Sequence, residues 1–164
     1  HEWQEGHVPN AHHIPMNEVG NNLDKLDDGA RIFIICRSGG RSMTVANYLE
    51  AQKSLVSAVY YPGLEDAPGH DLARKQMSGF GGMLSFKLVG GEAAAKKFCE
   101  STELFTLAES LGGVESLVNY PAEMTHASAN GTPIEVSKDI VRLSVGVEHI
   151  SDILADIAQA LEKI

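Results

Sequence analysis

The clearest periodicity in the chain lies at its C-terminus. Ile150, Ile153, Leu154, Ile157 and Leu161 recur at helical spacing, with Asp152, Asp156 and Glu162 off the stripe. That predicts an amphipathic helix over the last sixteen residues. Upstream, short apolar runs alternate with helical spacings. Leu23 and Leu26 read as a short helix, with Asn22 as N-cap and Gly29 as stop. Arg31–Cys36 is a continuous β-branched and aromatic run, the pattern of a buried parallel strand. A helix is predicted from about Ser42, with Val45, Ala46 and Leu49 on one side. Leu55–Tyr61 reads as a strand ended by Pro62-Gly63, and His70–Met77 as a short amphipathic helix. Met83–Val89 is a strand and Glu92–Glu100 a helix opened by Gly90-Gly91. Leu104–Ala108 and the alternating Val141–Val147 are further strands. The alternation predicts an α/β chain without internal repeats or a Pro/Ser/Gly-rich linker.

Composition narrows the classes. The 164 residues are 43% hydrophobic and 21% charged, enough for one core or two small ones and too balanced for disorder. Thirteen Lys and Arg against 22 Asp and Glu leave a net charge of −9. An acidic surface of that size has no footprint for nucleic acid or anionic lipid. The longest unbroken aliphatic and aromatic run is Ile32–Ile35, with Cys36 after it, far short of a membrane span. Two cysteines, Cys36 and Cys99, are no disulfide scaffold and read as free thiols of a reducing cytoplasm. The opening His1-Glu2-Trp3-Gln4-Glu5 has neither an apolar signal region nor an initiator Met. It reads as the start of a piece of something longer, or of an engineered chain.

The densest chemistry is the segment CRSGGR. Cys36 ends a predicted buried strand, and a loop and a helix follow at once, the place where open α/β sheets bind ligands. Gly39 and Gly40 let successive N–H groups of the loop, Ser38 among its residues, turn toward one atom. The helix N-terminus, Arg37 and Arg41 add positive potential, which favours a nucleophilic thiolate at Cys36. The competing reading is a strand cysteine that merely packs, as Cys99 does beside Phe98. His7, His12 and His13 lack the ligand spacing of a metal site.

EWQEGHVPNAHHIPMNEV and CRSGGRS resemble the rhodanese family, over His1 to about Gln52. The resemblance implies a Cys36 persulfide, taken from a donor such as thiosulfate and passed to a thiophilic acceptor, with no cofactor. Arg41 lies five positions after Cys36, a loop sized for sulfur. Related phosphatases place the arginine one position later.

The remainder resembles a different family. VYYPGLEDAPGHDLARKQMSGFGGMLSFKL, FTLAESLGGVESLVNYPAEMTHAS and VRLSVGVE are similar to the C-terminal domain of the pyridoxal-phosphate (PLP) enzymes of Cys/Met metabolism, over about residues 53–164. Leu111 after Ser110 resembles the cystathionine γ-synthase/γ-lyase branch, since the β-lyases look like they carry Trp there. The resemblance implies that Arg142 binds a substrate α-carboxylate and that Ser110, ahead of Gly112-Gly113, helps to hold it. A guanidinium fork suits a carboxylate. On its residues alone Arg142 reads as a surface ion pair on an edge strand, and Glu109 and Glu115 as solvated charges. The family's Schiff-base lysine motif, phosphate cup and stacking tyrosine belong to a large domain with no counterpart in this sequence.

The expected fold is therefore α/β: a partial rhodanese-like parallel sheet (1–52), then the small C-terminal α/β domain of a fold-type I PLP enzyme (53–164). The joint is expected near Leu49-Glu50-Ala51-Gln52, a helix that fits both families. Three functions compete: a catalytically incomplete trans-sulfuration PLP-enzyme domain, a sulfurtransferase acting through Cys36, and a chimera without evolved activity. Expected partners are small sulfur-containing substrates, and a second copy or the missing large PLP domain.

Overall fold

The chain divides into two units, His1–Phe33 and Ile34–Ile164. A computed structural model describes residues 39–164, all within the second. The helix at Leu23–Leu26, the strand Arg31–Cys36 and the three N-terminal histidines lie outside the described residues.

Eleven elements follow in order: α1 (Gly40–Ala51), β1 (Val56–Tyr60), α2 (His70–Gln76), β2 (Met83–Leu88), α3 (Gly91–Ser101), β3 (Thr106–Leu107), β4 (Leu117–Asn119), α4 (Pro121–Met124), a 3-10 turn (Ala127–Ala129), β5 (Ile140–Ser144) and α5 (Ile150–Leu161). Five strands make one sheet in the order β1-β2-β5-β4-β3. Every pairing is antiparallel except β3 with β4. The last strand in sequence thus becomes the middle of the sheet.

Period-two alternation sets the faces. Leu84, Phe86 and Leu88 of β2, Val118 of β4, and Val141 and Leu143 of β5 point to the core. Helices α1, α3 and α5 supply Val45, Leu49, Phe98, Ile153 and Ile157 to the same cluster. Phe98 meets Phe86 edge to face, with centroids 5.2 Å apart at 81°, the preferred geometry for two ring quadrupoles. The core lies on this side; the opposite face carries Tyr60, Ser85, Lys87, Arg142 and Asn119.

Three expectations need correction. Leu104–Ala108 shrinks to the two-residue β3, because the carboxylate of Asp156 takes the N–H groups of Leu104 and Phe105 before a ladder can. Val141–Val147 begins one residue earlier and ends at Ser144. Beyond it Val145 N–H turns to Gly82 O and Val147 N–H to Val114 O. Gly146 N–H meets Ser116 Oγ, and a Cβ there would lie 2.5 Å from Val114 O. α2 is not amphipathic in place, since none of its residues is buried and Leu72 is exposed.

Asp156 is also corrected. The stripe reading set it on the solvent side of α5, yet it is buried with Ile153, Ile157, Ala160 and Leu161, whereas Ile150 and Leu154 are half-buried. Its carboxylate accepts from the backbone N–H of Glu103 (2.7 Å), Leu104 (2.9 Å) and Phe105 (2.9 Å), and from Gln159 Nε2 (2.9 Å). One side chain therefore closes the turn between α3 and β3.

Candidate functional site

Of the CRSGGR segment, Cys36, Arg37 and Ser38 lie outside the described residues. Gly39 is buried and left-handed at φ 68°, immediately ahead of α1. A Cβ at Gly39 would collide with the Tyr61 hydroxyl and come within 2.8 Å of Gly81 O. Only glycine fits both the backbone and the space. The Tyr61 hydroxyl lies within hydrogen-bond distance of Gly39 O (3.1 Å) and Gly81 O (3.0 Å). Tyr61 thus ties the approach to α1 to the turn before β2, a role its place in a YYPG run did not signal. Gly40 opens α1, and Arg41 is half-buried in its first turn.

Arg142 stands on β5, the central strand, not on an edge. It is half-buried on the face away from the helices. Among the described residues no carboxylate pairs with it, so the ion-pair reading fails. Its register partners are Ser85 on β2 and Asn119 on β4. The loop from β3 to β4 reaches the same face, where Gly112 N–H donates to Ser144 Oγ at 2.9 Å. Ser144 is two residues after Arg142 and points the same way. Ser110 is exposed in that loop, as are Glu109 and Glu115.

The loop is held by groups that sequence reading passed over. Glu148 accepts from Ser116 N–H (2.7 Å) and Ser116 Oγ (2.9 Å). Asn119 Nδ2 donates to Ala108 O at 2.9 Å. Neither residue has a local signal, because each reaches a partner through the folded sheet.

The lysines are placed as surface cations. Lys87 pairs with Asp139, Lys138 with Glu92, and Lys163 with Glu103. Lys96 lies between Glu123 and Glu92, which hold its ammonium above the usual lysine range. Lys53, Lys75 and Lys97 are exposed. Cys99 is buried, and loss of solvation, with Glu100 nearby, pushes its thiol up to about 12. It is a neutral packing group at pH 7. The described residues contain no cluster of His, Cys, Asp or Glu able to hold a metal, and no described helix is long and apolar enough to cross a membrane.

The profile of the Cys/Met metabolism PLP-dependent enzymes matches residues 35–162. The chain belongs to that family. A rhodanese-like domain profile matches residues 1–63, so the two matches overlap across α1 and β1. Among relatives of the PLP family, a cystathionine γ-synthase of Mycobacterium leprae is 54% identical over 125 residues, covering 76% of this chain and 32% of its own length. A cystathionine β-lyase of Lactococcus lactis is 57% identical, covering 73% and 32%. The crystal structure of yeast cystathionine γ-lyase superposes with a TM-score of 0.71 at 46% identity, covering 77% of this chain and 34% of that one. The chain spans about a third of the length of these relatives. Fold-type I PLP enzymes are thus its structural neighbours, and its relatives belong to sulfur amino-acid metabolism.

Proposed function

We propose that residues 53–164 form the substrate-clamping domain of a trans-sulfuration PLP enzyme of the γ-synthase/γ-lyase type, incomplete by itself. The observation that carries this is Arg142: a half-buried guanidinium on a central strand, beside a glycine loop, with no protein carboxylate to neutralise it among the described residues. Its fork would take the α-carboxylate of a small sulfur amino acid, with Ser110 at the mouth of the site. PLP itself does not fit the described residues, because the described lysines are ion-paired or exposed. The cofactor and its lysine would come from a large domain, with this domain docked on it or on a second copy. A reducing, cytoplasmic setting suits the buried free thiol of Cys99.

Titration with propionate, followed at the Arg142 Nε–H by 1H–15N spectroscopy, is expected to give a saturable shift. Arg142→Ala should abolish the binding seen at neighbouring backbone amides. Undiminished binding by that variant would overturn the reading.

A second reading rests on the rhodanese-like match. Cys36 would accept the outer sulfur of thiosulfate, releasing sulfite, and pass it to an acceptor such as cyanide, with Arg37, Ser38, Gly39, Gly40 and Arg41 holding the anion. The left-handed Gly39 directly before α1 is consistent with such a loop. At neutral pH, thiosulfate should add one sulfur to the parent and none to Cys36→Ser, since Cys99 stays protonated. Equal uptake by Cys36→Ser, read by intact mass, would leave the first segment as a remnant. We place the joint at 49–52, inside the span that both profiles match.

A further inference from the structure

Asn119 is fully buried, at 0% exposure, on the face of the sheet that carries Arg142. Its Nδ2 donates to Ala108 O, and that bond fixes the amide's orientation. Exchanging the two ends would set Oδ1 against a carbonyl oxygen. Oδ1 therefore needs a donor, yet among the described residues it is the one buried side-chain oxygen or nitrogen without a partner. A bare acceptor in such a place is costly unless something supplies a proton to it.

The residue opposite it in the β4–β5 register is Arg142. Directly paired positions in an antiparallel ladder lie about 5 Å apart at Cβ, well within the reach of a guanidinium. Arginine offers five N–H donors and no acceptor, so one can turn to Asn119 while two face a ligand. A neutral amide can hold the fork without cancelling its charge, whereas an aspartate in that place would compete with an anionic ligand.

We propose that Asn119 is a positioning residue for the carboxylate site, its Oδ1 accepting from the Arg142 guanidinium when that side chain turns toward it, and so aiming the fork at the incoming carboxylate. The proposal rests on the reading of Arg142 given above. Because the other end of the amide binds Ala108, Asn119 also couples the fork to the loop that carries Ser110.

The test uses the whole chain and propionate as the probe, reading the Arg142 Nε–H signal, its exchange with water and the binding curve. Asn119→Ala should speed that exchange and weaken propionate binding by about tenfold to a hundredfold, the loss of one charge-assisted hydrogen bond. Asn119→Asp should keep the exchange slow but abolish binding, because the new carboxylate occupies the fork. If Asn119→Ala does not fold, Asn119→Asp alone decides: slow exchange with lost binding supports the proposal, and fast exchange overturns it. It is also overturned if Asn119→Ala leaves exchange and affinity unchanged, or if both variants act alike, as a mere anchor for Ala108 would. Propionate binding that survives Arg142→Ala defeats the carboxylate reading instead.

Discussion

Asp156→Ala is expected to destabilise the C-terminal unit by about 3–5 kcal/mol, because three backbone N–H groups and the Gln159 amide lose a shared charged acceptor. The turn at 103–105 joins α3 to β3, so its donors cannot all reach water without lifting Phe105 from the core. Asp156→Asn keeps one acceptor oxygen but sets an NH2 against a backbone N–H, and should cost about half as much. Urea melts followed by circular dichroism measure both. A loss below about 1 kcal/mol for the alanine variant would mean that the turn rehydrates freely and that Asp156 is dispensable.

Adding PLP to the chain, reducing with borohydride and measuring the mass is expected to show no stoichiometric lysine adduct. A lysine that captures an aldehyde must lose its proton, and burial or a neighbouring cation normally arranges that. The described lysines have the opposite surroundings: Lys96 sits between two carboxylates that favour its charged form, and the rest are ion-paired or solvated. One adduct at a single lysine, with a visible band that reduction removes, would show a complete cofactor site and overturn the clamp-only reading.

Much of the C-terminal architecture was legible as local periodicity. β2 reads apolar at every second position from Leu84 and is found at Met83–Leu88. Gly90-Gly91 marks the start of α3, and the apolar spacing around Val45 becomes α1, two residues longer at its N-terminus than the sequence indicated. β4 and α4 carry no periodic signal in the sequence. Leu117-Val118-Asn119 is too short to display a period, and all three residues are buried, so no alternation marks the strand. The Pro121 that follows gave no helix signal of its own until β4 set it at a helix start.

The candidate site divides along the same line. The type of residue at Arg142 and the glycines ahead of it were readable, because a guanidinium and a flexible loop are local chemistry. That Arg142 stands on the central strand was decided only when the last strand in sequence inserted between β2 and β4. Insertion turned a presumed edge cation into a sheltered one, and it set Asn119 opposite. The burial of Asp156 has the same origin, with acceptor and donors 51–53 positions apart in sequence. The sequence by itself determined helices α1, α3 and α5, most of the strands and the chemical character of the two loops, since each follows from neighbours within a turn or two. Tertiary structure alone decided strand order, which polar groups are buried and that Arg142 meets no carboxylate among the described residues, because those depend on segments brought together from across the chain.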